Sequence, residues 1–168
     1  MPATDSSTGR LLSLGYQLRS LDEFVETLNG ARVGVVVDVR EVPWSRKRGF
    51  SKTALREALN ASGIEYEHAR FAGNPKEIRR NAEDHASCLH DYAAYLDDRP
   101  DVIAELDALV GEHLDKGRSV CLVCYERHPH DCHRSTLIER LRSVRRVEVE
   151  HLGPEGAPRL SDLDRPVP

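Results

Sequence analysis

The stretch Val33-Gly34-Val35-Val36-Val37-Asp38-Val39 decides the fold of this 168-residue chain. Five of its seven residues are valine, whose branched side chain favours extended backbone. The run is apolar almost throughout and does not alternate with polar residues, which is typical of a strand buried on both faces. The sequence therefore predicts a parallel sheet that contains this stretch.

Strand and helix signals alternate on either side of the valine run. Short apolar runs predict further strands at 11–14, 64–68, 120–125 and 147–152. Stretches with helical spacing of apolar residues lie between these runs, in the order β-α-β-α-β-α-α-β-α-β. This order predicts an α/β fold: a single compact domain with a mainly parallel sheet of about five strands, covered by helices on both faces in a Rossmann-like layering.

Composition narrows the class of protein. Hydrophobic residues make up 39% and charged residues 31%, and the formal net charge is −4, which argues against binding polyanions through bulk charge. No apolar run has the roughly 20 residues of a membrane helix, and the N-terminus lacks the apolar core of a signal peptide. We therefore expect a cytoplasmic protein without a membrane partner. Along the chain, we expect a flexible N-terminal tail (1–9), an α/β domain (10–152) and an irregular C-terminal arm (153–168). Its oligomeric state is not predicted.

Ligands of open parallel sheets bind beyond the carboxyl ends of the strands, and two segments follow strong strands here. In the first, a buried Asp38 carboxylate would need a partner, and Arg40 is a candidate. Asp38 is either the capping carboxylate of a loop or a general base beside two anion-binding arginines, Arg40 and Arg46. Residues 40–52 carry five basic side chains against one acidic one, which predicts a basic loop. Trp44, within this loop, is either a lid on the core, which is the expected position, or a stacking surface.

The second segment, Cys124 to Arg134, holds the densest group of reactive side chains in the chain. It connects a buried strand to a helix that Cys132, His133 and Arg134 open. The N–H groups at the start of a helix favour an anion and lower the pKa of a nearby cysteine thiol. Arg134 would add a forked donor for the same anion.

A zinc site in this segment would use Cys124, His128 or His130, and Cys132, which are suitable ligand types. The loop contains no Cys-x-x-Cys pair, however, and Cys121 faces the opposite side of the strand from Cys124. The sequence therefore predicts no cofactor.

Two further interpretations of the segment stay open, beside a purely structural loop. Cys124 or Cys132 would be a nucleophile, with His133 or Glu126 as the proton carrier. Alternatively, the segment would bind a phosphate-bearing ligand while its cysteines only pack. The other two cysteines are expected to be small core residues: Cys88 and Cys121.

Several linked motifs make the chain similar to a known family. They are Gly15-Tyr16, Asp38-Val39-Arg40 with Pro43 and Ser45-Arg46, Gly49-Phe50-Ser51-Lys52, Gly73-Asn74-Pro75-Lys76-Glu77, and Cys124-Tyr125-Glu126 with Pro129 and Cys132-His133-Arg134-Ser135. On these motifs the chain resembles, from about Leu12 to Leu152, the domain of unknown function 488 family. The resemblance implies a compact α/β domain whose signature loops converge at one end of the sheet, and it adds Tyr16, Ser45 and Ser135 to the expected ligand contacts. Gln17 stands where many relatives carry a glutamate.

Three functions are compatible with these residues. The first is a small enzyme or binding protein for a phosphate-bearing ligand such as a nucleotide or a nucleic-acid end. Its anion would be held by Arg40, Arg46 and Arg134, and protons would be moved by Asp38, Glu126 or His133. The second is thiol chemistry at Cys124 or Cys132, including sulfur transfer, because residues 37–41 are similar to an early strand of rhodanese-type sulfurtransferases. The third is a non-enzymatic module whose basic loop, 40–52, binds nucleic acid or a protein partner.

Overall fold

Five strands and six helices build residues 9–153, the part of the chain that the computed structural model describes. The strands are β1 (Leu11–Gly15), β2 (Val35–Asp38), β3 (Glu65–His68), β4 (Val120–Cys124) and β5 (Val149–His151). The helices are α1 (Leu21–Gly30), α2 (Lys52–Ala61), α3 (Lys76–Asn81), α4 (His85–Asp98), α5 (Pro100–Leu114) and α6 (His133–Val144). Within residues 9–153, no helix combines the length and the apolar character that crossing a membrane requires. Apart from Gly9 and Gly153, the expected tail and C-terminal arm lie outside the described residues.

The strands form one sheet in the order β3-β2-β4-β1-β5, and every neighbouring pair is parallel. The predicted α/β class and parallel sheet are thus confirmed. The chain leaves β2 toward one edge of the sheet and leaves β4 toward the other. Loops that diverge in this way open a crevice above the carboxyl ends of the two strands, which is the usual ligand position in open α/β sheets.

Both faces of the sheet are covered by helices, as the apolar valine run predicted. Phe24 and Leu28 of α1 pack on one face together with Leu55 and Leu59 of α2. The buried residues of α4, α5 and α6 pack on the other face. The side chains of β4 alternate between the two cores, so that Cys121 faces α1 and α2 and Cys124 faces the other side.

Two details of the fold differ from the sequence analysis. Three helices connect β3 to β4 where two were predicted, because α3 has only six residues and buries none of them, so that it has no apolar stripe. Trp44 was expected in the core, but 63% of its surface is exposed. The core on this face of the sheet is instead filled by Tyr16, Phe24 and Phe50, whose rings pack against one another.

Gly15 allows two segments of the crevice to approach closely. It ends β1 and pairs with Cys124 at the end of β4. A Cβ atom at this position would overlap the backbone carbonyl of Glu126. The absence of a side chain therefore lets the loop after β4 lie directly against β1.

Candidate functional site

A cavity of about 380 Å³ lies at the carboxyl ends of the strands, where the sequence predicted a site. The loops after β1, β2 and β4 form one side of it, and α3, α4 and the segment before them form the other. Its walls are made by Tyr16, Arg40, Glu41, Val42, Trp44, Asn74, Arg79, His85, Cys88, Leu89, Cys124, Tyr125, Glu126, Asp131 and His133. The volume is within the range of small-molecule sites.

Two thiols and one imidazole meet at this cavity. The Nδ1 atom of His133 lies 3.6 Å from Sγ of Cys124 and 3.7 Å from Sγ of Cys132. Cys124 ends β4 and lines the cavity, whereas Cys132 is not on the cavity wall and is only 1% exposed. The fold thus places both predicted nucleophiles beside the predicted proton carrier.

The backbone fixes which nitrogen of His133 faces the thiols. Nε2 lies 2.7 Å from the carbonyl oxygen of Val39, and because a carbonyl only accepts, Nε2 must carry the hydrogen. The edge-to-face packing of Tyr92, 5.3 Å between ring centres, holds the imidazole plane in place. In the neutral imidazole, Nδ1 is therefore a lone-pair acceptor directed at the two sulfur atoms.

The two thiols titrate as a coupled pair. Burial raises the pKa of the Cys132 thiol, but the hydrogen bond from Cys124 and the charge of His133 outweigh burial and lower that pKa well below its ordinary value. The pKa of Cys124 is raised well above its ordinary value by the hydrogen bond to Cys132 and by burial. The first proton therefore leaves the pair easily and the second is held tightly, so the site favours one thiolate stabilised by one remaining thiol.

His133 and Glu126 respond to the same negative charge. Burial lowers the pKa of His133, but the Cys132 thiolate outweighs it and the pKa is raised. Burial and the Cys132 thiolate raise the pKa of Glu126 to about 7. The Glu126 carboxyl accepts from the Cys124 thiol at 3.6 Å, so a proton donor that is half ionised near neutral pH lies beside the sulfur.

Asp38 lies outside the cavity. Its carboxylate accepts from Nε and from a terminal nitrogen of Arg40 at 2.9 and 2.7 Å, and from the hydroxyl of Tyr66 at 2.6 Å. Arg40 also donates to the carbonyl of Phe50 at 2.7 Å and to the hydroxyl of Tyr16 at 3.2 Å. The predicted Asp38–Arg40 pairing is present, and it ties the basic loop to the end of β2.

Arg134 also lies outside the cavity wall. Its side chain is fully buried and donates to the carbonyls of Glu126 and Arg127 at 2.6 and 3.4 Å and to the hydroxyl of Ser13 at 3.2 Å. The guanidinium therefore shapes the loop that carries Glu126. Its predicted role as an anion ligand stays a prediction.

The remaining predicted ligand contacts are scattered. Tyr16 lines the cavity and stacks on Phe50, with 4.5 Å between ring centres. Ser45 binds within its own loop through Ser51, and Arg46 is exposed and is not on the cavity wall. The hydroxyl of Ser135 donates to the carbonyl of Cys132 at 2.8 Å. The structure thus does not gather the three predicted arginines around one anion position.

Several cavity residues were missed by the sequence analysis. Cys88, expected in the core, is half-buried on the cavity wall, where the side-chain amide of Asn74 lies 3.3 Å from its sulfur. His85 is on the same helix, and its Nε2 contacts the carbonyl of Asp131. Asn74 belongs to a motif of the family resemblance and could have been found there. His85 and Cys88 carried no such signal, because they come from a helix that packs across the strand ends.

Cys124, Cys132 and His133 offer ligand atoms that all lie within 4.8 Å of one another. These donor types suit zinc, and they would occupy three positions of a tetrahedral site. His128 and His130, the histidines considered for zinc in the sequence, do not belong to this cluster. Thiol measurements on this site therefore require protein treated with a chelator.

Gln17 takes part in the same loop contacts. Its side-chain oxygen accepts from the backbone N–H of Arg127 at 3.0 Å. A glutamate carboxylate could accept the same bond, so the substitution relative to many relatives leaves this contact possible.

The sequence model of the family described as domain of unknown function DUF488 matches residues 20–141. This range contains β2 to β4 together with Cys124, Cys132 and His133. A search of curated proteins finds no match.

Proposed function

The chain belongs to the DUF488 family, whose description names no reaction, and we propose from the geometry of its cavity that it is a thiol-dependent enzyme. The observation that carries the proposal is the position of Cys124. This residue is on the cavity wall, and its sulfur lies 3.6 Å from a histidine nitrogen and 3.6 Å from a glutamate oxygen. Nucleophile, base and acid are thus within reach of one another, which is the arrangement that covalent catalysis by cysteine needs.

Each member of the cluster has a separate role in this proposal. Cys124, which is hydrogen-bonded to the Cys132 thiolate, passes its proton to that thiolate, attacks an electrophilic atom of the substrate and forms a covalent bond through sulfur. His133 then takes the proton that remains on the pair, because Nδ1 faces both sulfur atoms while Nε2 is held by Val39. Glu126, with its pKa raised to about 7 by burial and the Cys132 thiolate, donates a proton to the leaving group. Sulfur transfer is one reaction of this class, in which Cys124 takes the outer sulfur atom of a sulfane donor and the rest of the donor leaves.

Binding of a phosphate-bearing ligand has less support from the arrangement of cations. Arg40 is committed to Asp38, Tyr16 and a backbone carbonyl, and Arg134 donates to the loop after β4. Arg79 reaches the cavity, but it pairs with Glu41 at 3.5 Å. A phosphate ligand therefore remains a hypothesis. The labelling experiment below tests it by adding inorganic phosphate.

At pH 6.5, the reduced, chelator-treated full chain is expected to react with limiting iodoacetamide first at Cys124 or Cys132. An ordinary thiol is almost wholly protonated at this pH, so the paired thiols should react about tenfold or more faster than Cys121. Cys121 is the internal control, because burial on the opposite face raises its pKa. Mass spectrometry of peptides after short reaction times gives the rates.

His133→Gln is the matched variant, since a glutamine amide can still donate to Val39 but supplies no basic nitrogen to the thiols. It should slow labelling of the pair by about tenfold or more. Equal rates at all four cysteines, in a protein shown by circular dichroism to be folded, would reject the proposed function. Slower labelling in the presence of inorganic phosphate would favour the phosphate hypothesis for the same cavity.

A second candidate function is supported by the exposed face of the basic loop. Trp44 and Val42 are 63% and 54% exposed, and Arg46 and Arg48 next to them are exposed as well. An aromatic ring beside cations is the surface on which unpaired bases stack while their phosphates are neutralised. We propose single-stranded nucleic acid as the ligand of this face.

Replacing Trp44 with alanine should weaken binding of a short single-stranded DNA by about 1–3 kcal/mol, the usual contribution of one stacked base. Fluorescence anisotropy at several salt concentrations measures the affinity of both proteins. The affinity of the wild type should fall steeply with salt, and the logarithm of its binding constant should change with the logarithm of the salt concentration with a slope near −2, for about three phosphate contacts. Cys124→Ser should bind like the wild type. Affinity that does not depend on salt, or on Trp44, would exclude this candidate.

A further inference from the structure

We infer that Cys124 and Cys132 form a reversible disulfide, and that the substrate which oxidises them is a small-molecule disulfide. The inference rests on the proposed function, because it takes Cys124 as the attacking sulfur. It goes further by assigning Cys132 as the thiol that resolves the covalent intermediate.

The placement of the two sulfurs carries the inference. They lie within 4.8 Å of each other and share one histidine nitrogen, at 3.6 and 3.7 Å. Of these two cysteines, Cys124 lines the cavity, whereas Cys132 is not on the cavity wall and is 1% exposed. A substrate can therefore reach the first sulfur, and the second can attack from the side that the substrate leaves uncovered.

Neither of the other cysteines has this relation to Cys124. Cys121 packs on the opposite face of the sheet, in the core beneath α1 and α2. Cys88 belongs to α4 and receives a hydrogen bond from the Asn74 amide. Cys132 is thus the partner that the fold presents to Cys124.

The chemistry balances without another reagent. The Cys124 thiolate attacks one sulfur of the substrate disulfide, a mixed disulfide forms, and the first substrate thiol leaves with a proton. The Cys132 thiolate then attacks Sγ of Cys124, and the second substrate thiol leaves with a proton. Two protein thiols are oxidised to one disulfide, and one substrate disulfide is reduced to two thiols. The protons come from the two cysteines by way of His133.

The backbone around Cys132 allows the sulfurs to close. A disulfide requires about 2.05 Å between the sulfur atoms. Cys124 is fixed in the centre of the sheet, between β2 and β1. Cys132 has an extended backbone and joins the short turn Pro129–Asp131 to α6. We expect the movement in this connection, so that the strands keep their positions.

Oxidised glutathione is the probe that tests the inference. Reduced, chelator-treated full chain is incubated with it, quenched with acid, and treated with N-ethylmaleimide, and the products are mapped by mass spectrometry. The wild type should retain two of its four thiols, at Cys88 and Cys121, and yield a peptide in which Cys124 is linked to Cys132. Dithiothreitol should restore all four thiols.

Two variants make the result decisive. Cys132→Ser should accumulate a glutathione adduct on Cys124, because nothing resolves the mixed disulfide, and Cys88→Ser should still form the link between Cys124 and Cys132. A lasting adduct on Cys124 of the wild type, or a link from Cys124 to Cys88, would overturn the inference while leaving the proposed function in place. If Cys124 forms neither adduct nor disulfide in any of these proteins, although iodoacetamide labels it rapidly, the inference alone fails. If iodoacetamide labels neither Cys124 nor Cys132 faster than Cys121, the proposed function fails as well.

Discussion

Replacing Asp38 with alanine is expected to lower the free energy of unfolding by about 3–5 kcal/mol, which is the usual effect of removing one partner from a buried ion pair. Asp38 is fully buried and Arg40 is 6% exposed. Without the carboxylate, the guanidinium would keep only the carbonyl of Phe50 and the hydroxyl of Tyr16 as acceptors. A buried charge would then be left without a counter-charge, and the Tyr66 hydroxyl would lose its acceptor.

Urea denaturation followed by circular dichroism measures this effect. Asp101→Ala is the matched control, because Asp101 forms a bidentate pair with Arg99 at the surface and its loss should change stability little. The loss of stability in Tyr66→Phe should lie between those of Asp38→Ala and Asp101→Ala, since this substitution removes one hydrogen bond to the Asp38 carboxylate and no charge. If Asp38→Ala unfolds at the same urea concentration as Asp101→Ala, the pair does not hold the loop as we describe.

The expected size of this effect separates two roles for Asp38. A general base must reach its substrate, and its replacement would reduce a rate without changing stability. The Asp38 carboxylate instead accepts bonds from Arg40 and Tyr66 and lies outside the cavity wall. We therefore assign it the positioning of the loop that carries Val42 and Trp44.

The sheet and the edge at which the cavity lies could be predicted because they follow from short-range patterns. The run Val33 to Val39 has no polar side on which a strand could be exposed, so it required cover on both faces. Parallel strands place their carboxyl ends at one edge, and this places the residues after β2 next to those after β4. Cys124 ends β4 and Cys132 and His133 follow it, so all three lie at this edge.

The directions of long side chains could not be predicted in the same way. Arg134 follows a cysteine and a histidine at the start of a helix, which suggested an anion site. In the fold, its guanidinium points to the carbonyls of Glu126 and Arg127. Which acceptors an arginine finds depends on where a neighbouring loop turns, and that turn depends on Gly15, more than 100 residues away in the sequence. That His85 and Cys88 line the cavity could not be predicted for a related reason. Their helix packs across the strand ends, and this packing leaves no local pattern in the sequence.

Glu126→Gln is expected to stabilise the protein above pH 7 and to leave its stability unchanged near pH 4. Burial and the Cys132 thiolate raise the pKa of Glu126 from about 4.5 to about 7 in the folded state. Between these two values the unfolded chain releases the proton and the folded chain keeps it, so stability falls as the pH rises through this window. Below pH 4.5 the carboxyl is protonated in both states and contributes nothing, and above pH 7 the full penalty is present.

Glutamine has the shape of the protonated carboxyl and does not ionise, so the variant escapes the penalty. The difference from the wild type should grow from pH 4.5 to pH 7 and reach about 1–3 kcal/mol, since one unit of pKa corresponds to about 1.4 kcal/mol. Urea denaturation of the reduced protein at pH 4.5, 6 and 8 measures it. Glu57→Gln, which changes an exposed carboxylate on α2, is the control.

The same series tests the role proposed for Glu126. Cys132→Ser removes one of the causes that raise the pKa of Glu126, so the pH-dependent gain from Glu126→Gln should shrink in that background. Parallel pH curves for the wild type and Glu126→Gln would mean that the carboxyl titrates as in the unfolded chain, and it could then not serve as the acid beside Cys124. A gain that appears only above pH 4.5, and that depends on Cys132, would mean that one proton is shared among carboxyl, imidazole and thiol. A site of this kind can protonate a leaving group and stabilise a thiolate at the same pH, which is what thiol catalysis near neutrality requires.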